Sequence, residues 1–483
     1  MSSKMSRRNL LRKGGEAMIA GGALACASSS LNAGLSAGAA SPRAGKGVDY
    51  YQRLGVTPFV NAAGTYTVLS ASILPDEVQA AMSLAAQQPV NLNELLDASG
   101  EYLAKRLRCE GALVTAGAAA ALTLGTAACV TAGNQAAMSL AAQQPVNLNE
   151  LLDASGEYLA KRLRCEGALV TAGAAAALTL GTAACVTAGN QAAIVGIPLD
   201  MTGLKSEVIV QKTHRYEYDH ALRNCGIRFV EVETLDNYER AFTDRTVMAH
   251  FFNAAEGGQI SREDWVSVAH RHGVPCFNDA AADVPPISNL WNYTAMGFDL
   301  VTFSGGKGLR GPQCTGLLLG RKDLIEAAKR NNSPNSNTVG RGMKVGKEEI
   351  VGLVAAVDWF LGQDDAAMET EFRQRAERIV QQLQDVPTVE TKIFIPPVAN
   401  HVPHLLITYD PDRIKITGQE VMQKLRQGKP RIELNPATGG GPASAGLPGG
   451  KNTIIVGVWM MQPGEELVVA QRLHEVLQEA IGA

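Results

Sequence analysis

Residues Gln79–Asn134 recur without a change as Gln135–Asn190, so a block of 56 residues stands twice in tandem in this 483-residue chain. No other feature limits the fold as much. A close-packed core has one seat for a given helix–strand unit, so one copy must be displaced from it. Solenoid repeats drift apart and need about three units or more to bury a continuous core. Two identical units point instead to a tandem duplication, or a sequence-assembly error, across the Gln-Ala-Ala that returns at Gln191-Ala192-Ala193. Each copy reads as a helix, a strand, a small-residue turn and an alanine-rich helix. In copy two the strand is Ala168–Thr171 and the last helix starts at Ala174. A strand, a turn and a helix N-terminus offer unpaired N–H groups and a favourable dipole to a phosphate; an ordinary βα unit has the same pattern. The candidate phosphate ligands are Thr171, Gly173 and Ala174, or their duplicates Thr115, Gly117 and Ala118. Copy two is expected in the core, because it stays joined directly to the next strand, Glu207–Val210. Loop-closure entropy grows slowly with length, so the extra copy is tolerable.

The net charge of −3 and a pI near 6.3 give no sign of a nucleic-acid binder. The eight cysteines show neither CxxC nor finger spacing, so they read as buried thiols and no metal is expected. Ser6-Arg7-Arg8-Asn9-Leu10-Leu11 reads as a twin-arginine export signal. The Ala/Gly-rich stretch after it and the small residues at Ala37–Ala39 complete a leader over residues 1–39. Serines and glycines interrupt the apolar run, so no stable membrane span is expected. The expected location is periplasmic or exported, with the cytoplasm as the alternative.

Strands and helices alternate from Ala168 to Gly320. This predicts an α/β fold with a largely parallel sheet covered on both faces. Residues 40–344 are assigned to an N-terminal arm and a large domain, and 345–483 to a smaller α/β domain. In the smaller domain, helices are expected at Lys347–Leu361, Met368–Gln384 and Glu465–Ile481, and Thr417–Glu420 reads as a capping box. Strands are expected at Val389–Phe394, His404–Thr408, Arg431–Leu434 and Thr453–Val458.

Four candidate groups fall at strand ends: the Thr171–Ala174 turn, His214, Asp279 and Lys307. Ligands of open parallel sheets sit at such ends. Lys307 stands among glycines in Ser304-Gly-Gly-Lys-Gly-Leu-Arg-Gly-Pro-Gln313, just after the strand Leu300–Phe303. A lysine in such a loop can be desolvated into an amine nucleophile, or can be a solvated surface group. Together the four match the needs of pyridoxal phosphate: a lysine for its aldehyde, an acid for its ring nitrogen, a helix N-terminus for its phosphate and a flat group for its ring.

With these motifs the chain resembles the fold-type I pyridoxal-phosphate enzymes related to selenocysteine synthase, and within them the D-glucosaminate-6-phosphate ammonia-lyase-like branch. The resemblance is carried by His214–His220, Asn278-Asp-Ala-Ala-Ala-Asp283, Ser304–Gln313 and Gly340-Arg-Gly-Met-Lys-Val-Gly-Lys-Glu348. It spans roughly residue 50 to the C-terminus, with the duplication and the export signal as departures. It implies that Lys307 bonds to the cofactor and moves the substrate α-proton, that Asp279 holds the ring nitrogen protonated and that His214 packs on the ring face. It implies phosphate binding by Ser304 with the Thr171–Ala174 turn, and makes Arg310 and Arg341 candidates for the substrate carboxylate. The implied reaction is α,β-elimination on a β-hydroxy amino acid or amino sugar acid, giving a 2-oxo acid and ammonia. The implied assembly is a homodimer or larger homo-oligomer. An exported enzyme would meet few phosphorylated metabolites, which argues against a phosphorylated substrate. The competing readings are a selenocysteine synthase-like or other transferase and a non-catalytic protein damaged by its duplication.

Overall fold

The computed structural model describes residues 48–59, 74–87, 90–107, 112–115, 141–255, 258, 260–441 and 446–481. The leader and residues 60–73 of the N-terminal arm lie outside these residues. The main sheet holds seven strands: β1 (Gly167–Thr171), β2 (Glu207–Gln211), β3 (Arg228–Val232), β4 (Thr246–Phe252), β5 (Cys276–Asp279), β6 (Leu300–Ser304) and β7 (Gly316–Gly320), in the order β1-β7-β6-β5-β4-β2-β3. Every neighbouring pair is parallel except those made by β7, which is antiparallel to both β1 and β6. The carboxyl ends of β1, β2, β4, β5 and β6 therefore share one edge, and β7 enters the sheet there at Gly316. Every residue of β1, β2, β5 and β7 is buried. Side chains alternate between faces, so both faces are covered, as expected for a mostly parallel sheet.

The helix Ala174–Thr187 has no polar stripe because it is enclosed: it lies between the strands and the helix Lys322–Asn331. Small residues bring it close. A Cβ at Gly181 would stand 2.4 Å from the Phe277 ring.

Over the residues described in both, the two copies share one helix but stand in opposite environments. Helix Leu148–Leu163 and β1 are docked; their counterparts are helix Leu92–Leu107 and residues 112–115, which join no sheet. In both, a glycine brings the helix against the segment that follows it. A Cβ at Gly156 would lie 2.5 Å from Ala168 O, and one at Gly100 would lie 2.5 Å from Ala112 O. Leu151, Leu163 and Leu169 are 0% exposed, whereas Leu95, Leu107 and Leu113 are 38%, 68% and 48% exposed. Tertiary packing, not propensity, separates them. Copy two is tied in by Tyr158 and Arg162, both bonded to Asp358, and by Glu166, which accepts from Lys322 N. The N-terminal arm also rests on copy two: Tyr51 Oη donates to Ala141 O and Phe59 N to Pro145 O.

A second sheet, antiparallel, has the order β10 (Thr453–Gly457), β9 (His404–Thr408), β8 (Glu390–Phe394). Helices Asp365–Gln382, Gly418–Gln427 and Glu465–Glu479 accompany it, and the Thr417–Glu420 capping box is formed. Helix Lys347–Phe360, expected with this smaller part, contributes Ile350 to Phe360 to the core of the large sheet instead; the second core starts at Phe372. The strand expected at Arg431–Leu434 is absent. Pro430 lacks an N–H, and Arg431 and Glu433 turn outward into ion pairs, leaving Asn435 N to Ile455 O as the bond to β10.

One glycine fixes the site edge. A Cβ at Gly316 would stand 2.3 Å from Gly173 C and 2.6 Å from Ala174 N, both backbone atoms with no room to retreat. Gly316→Val is expected to lower stability by about 1–3 kcal/mol through overpacking, measured as a fall in the urea midpoint. An unchanged midpoint would mean that the Gly173 turn does not depend on this contact.

Candidate active site

The shared edge collects the predicted residues. Thr171 pairs with Gly316 across β1 and β7, and Ser304 pairs with the same Gly316 across β6 and β7. The copy-two turn and the start of the lysine loop thus flank one residue. Gly173 has φ +93 and caps the helix Ala174–Thr187, and no atom lies within 4 Å of where its Cβ would be. This leaves an open cradle at a helix N-terminus, suited to an anion. Of the duplicate turn, Gly117 and Ala118 lie outside the described residues.

Lys307 is exposed at the tip of a loop that closes on itself: Gly305 N donates to Thr315 O, Gly311 N to Gly305 O and Arg310 N to Lys307 O. The glycines serve this closure rather than a ligand's approach. A Cβ at Gly306 would meet Gln313 Cα at 2.3 Å, and one at Gly308 would meet Val284 O at 1.8 Å. Among the described residues no carboxylate lies within ion-pair distance of Lys307, so its amine is not committed to a salt bridge.

Asp279 ends β5 beside β6 and is 3% exposed. Burial raises its pKa, opposed by Tyr216 Oη donating to Oδ2, by Ala281 N donating to Oδ1 and by the Lys307 charge. A carboxylate has about four lone-pair sites, so Asp279 can accept a further donor. Tyr216 stacks on Phe252 at 3.9 Å and 21°. It lies inside the His214–His220 motif, and sequence reading gave it no role.

His214 is 2% exposed and meets Phe251 edge-on at 4.5 Å. Its Nδ1 accepts from Phe252 N at 3.2 Å and its Nε2 lies 3.3 Å from Gln211 Nε2. The ring is therefore held within the protein, while Tyr216 is the aromatic group that reaches Asp279. Arg310, with φ 54, donates to Trp459 O at 2.6 Å, and Arg341 donates to Pro334 O at 2.9 Å. Both arginines proposed for the substrate are thus bound to main-chain carbonyls.

A network next to Asp279 went unnoticed in the sequence. Asn253 N donates to Asp279 O, and Asn253 Nδ2 and Tyr293 Oη donate to Asp283 Oδ2 at 2.6 and 3.0 Å. Asp283 is buried and raised to about 6, chiefly by desolvation. Arg262 Nε donates to Asn253 Oδ1 at 2.7 Å, with its guanidinium over the rings of Phe251 and Tyr293. Arg262 opens the helix after β4, so it faces the same edge. Its signal was only positional: a cation at a helix start after a strand end.

A separate group of His270, Cys276 and Asp299 lies at the opposite edge. Asp299 already accepts from Arg321, and burial raises the Cys276 thiol well above its ordinary range. Of the described cysteines, Cys225 and Cys276 are buried, Cys165, Cys185 and Cys314 are partly so, and all are free thiols.

Residues 116–399 match the family model described as SelA: L-seryl-tRNA selenium transferase. The chain belongs to this family. It is 25% identical over 447 residues to the D-glucosaminate-6-phosphate ammonia lyase of Salmonella typhimurium (strain 14028s / SGSC 2262), covering 89% of this chain and 98% of that one. It is 27% identical over 308 residues to a 5'-C-glycyluridine monooxygenase-decarboxylase of Streptomyces sp, covering 61% and 75%. The solved structure of a D-glucosaminate-6-phosphate ammonia-lyase superposes with a TM-score of 0.58 at 22% identity, covering 90% and 99%, which shows the fold. The SelA family consists of pyridoxal-phosphate enzymes of fold type I. The residues present fit that group: the Gly173 cradle offers N–H groups to a phosphate, Lys307 an amine to an aldehyde and Asp279 a buried carboxylate to a pyridine nitrogen.

Burial, reinforced by Arg262, pulls His214 from its ordinary 6.5 down to about 4. Between these values the unfolded chain takes up a proton that the folded chain refuses, so stability is lost as pH falls from 6.5 towards 4. His214→Gln removes this contribution. The slope of unfolding free energy between pH 6 and 4.5 should be shallower by up to about 1.4 kcal/mol per pH unit, read from urea titrations. A wild-type slope would show that folded His214 is already protonated in that range.

Proposed function

We propose that this SelA-family enzyme is a pyridoxal-phosphate-dependent ammonia-lyase acting by α,β-elimination on a β-hydroxy amino acid or amino sugar acid. The observation that carries this reading is the 25% identity over 89% of the chain to an ammonia lyase, joined to the Lys307–Asp279 arrangement at one sheet edge. When bound, the cofactor supplies an aldehyde for the substrate amine and a pyridine ring that takes up electrons from Cα. The chain's own groups do the rest. Lys307 Nζ takes the Cα proton, and hydroxide leaves Cβ with a proton as water. The enamine released takes up water and loses ammonia, leaving a 2-oxo acid. Asp279 is the buried carboxylate that would pair with the cofactor's ring nitrogen and hold a proton there. Tyr216 orients Asp279 by donating to it. The Gly173 turn and Ser304 would hold the phosphate.

Arg262 is the best-placed group for the substrate carboxylate. It is held by Asn253 and two aromatic faces, while Arg310 and Arg341 are occupied elsewhere. A second reading, transfer to an aminoacyl-tRNA, is favoured by the family description. It is opposed by the net charge of −3, which offers little attraction to a polyanion.

Purified protein should absorb as a yellow cofactor complex that borohydride fixes to Lys307. Lys307→Ala should lose that adduct and at least about 100-fold in turnover. A covalent adduct that survives the substitution overturns the lysine assignment. Ammonia and 2-oxo acid release, tested over 3-hydroxy amino acids and amino sugar acids with and without phosphate, separates a lyase from a transferase. Arg262→Met should raise KM about tenfold or more with kcat little changed, the loss of a charge-assisted hydrogen bond. An unchanged KM removes Arg262 from carboxylate binding.

A further inference from the structure

The seat filled by copy two is built from residues outside the duplication. β7 supplies the single ladder that holds β1, a strand at the edge of the sheet. Asp358 receives Tyr158 and Arg162, Lys322 N donates to Glu166, and Lys329 pairs with Asp153. Copy one carries the same side chains at the same spacing: Asp97, Tyr102, Arg106 and Glu110. Its helix Leu92–Leu107 already packs on residues 112–115 through Gly100, in the geometry that Gly156 gives copy two. The apolar face that copy two buries is the one copy one exposes: Leu107 is 68% exposed where Leu163 is 0%, and Val90 is 56% where Val146 is 0%.

We propose that this seat, formed by β7, Asp358, Lys322 and Lys329, is a binding surface for either copy of the same chain, so that the two copies exchange in it. Identical side chains can make identical contacts in the seat, so the two arrangements differ in their connections and in what the displaced copy touches, which for copy one includes the pair of Glu94 with Arg431. With copy two seated, the junction at Asn190–Gln191 is direct and copy one is the insertion on the N-terminal side. With copy one seated, the junction at Val78–Gln79 is direct and copy two becomes the insertion before Gln191. The cost of a loop varies slowly with its length, so neither arrangement is strongly excluded. Being tethered, the displaced copy competes at a high effective concentration for a place held by the β7 ladder and by the enclosed helix Ala174–Thr187. The exposed leucines of copy one are, on this view, a spare of the buried set.

The test uses hydrogen exchange on the full chain and needs neither cofactor nor activity, so it stands apart from the lyase reading. Peptides from the two copies are identical, so Glu101→Gln, an exposed change, marks copy one in every sample. In the marked parent, helix Leu148–Leu163 should be protected and Leu92–Leu107 should exchange faster. Gly156→Val places side-chain atoms on Ala168 O and blocks copy two. Protection should then move to Leu92–Leu107, with exchange there slowed at least tenfold and the protein still folded and monodisperse. Gly100→Val should leave the parent pattern, and the double variant should lose protection in both helices. Two results overturn the proposal. One is a Gly156→Val protein that loses protection in both helices as the double variant does. The other is protection of Leu92–Leu107 that appears only in a concentration-dependent dimer, which would put the occupant on a second chain. Deletion of Gln79–Asn134 provides the single-copy folding control; if it folds while Gly156→Val does not, the failure belongs to exchange and not to the seat.

Discussion

The site depends on a close approach of two backbones. β7 runs against its neighbours, and its first residue, Gly316, lies between Thr171 and Ser304 with the Gly173 carbonyl carbon where a side chain would begin. Any larger residue would push the helix N-terminus off the sheet edge. Because that contact is main chain against main chain, it sets the distance between the anion cradle and the lysine loop without relying on a flexible side chain. The antiparallel strand also explains how a lysine that follows β6 and a turn that follows β1 come to the same edge although about 130 residues separate them.

Around that frame, charge is managed by burial rather than by surface pairing. Asp279 is enclosed, kept competent as an acceptor by Tyr216, the Ala281 N–H and the charge of Lys307. His214 and His250 are held neutral by desolvation, at about 4 and about 3. Four residues on, Asp283 is raised to about 6 within its hydrogen bonds to Asn253 and Tyr293. A lysine amine at the lip and an acid at the floor, with uncharged imidazoles behind them, give the edge a polarity running from solvent into the sheet. That is the arrangement in which an exposed amine and a buried acid can be kept apart in charge.

Lys307 and Asp279 were legible because their chemistry is rare at strand ends and their strands are short apolar runs that propensity alone identifies. The copy-two turn was legible through chain connectivity. Tyr216 and Arg262 were not: Tyr216 meets an aspartate 63 positions away, and Arg262 acquires its setting from Asn253, Phe251 and Tyr293, pairings that only the folded sheet creates. The charges of Arg310 and Arg341 read as substrate ligands, yet a guanidinium serves a main-chain carbonyl equally well, and sequence spacing does not distinguish the two. The same holds for Arg431–Leu434, where alternation resembled a strand but the outward groups are ion pairs, and for Lys347–Phe360, whose apolar residues suited either core.

The bond from Arg310 to Trp459 has a mechanical consequence. Arg310 sits three residues beyond Lys307 in a left-handed conformation, and its guanidinium grips a carbonyl next to β10 of the small sheet while lying 5.8 Å from the Trp359 ring. The loop that presents the amine is therefore one arm of a lever whose other arm is the C-terminal module. A tilt of that module would be passed through this bond to the backbone of the loop that carries Lys307.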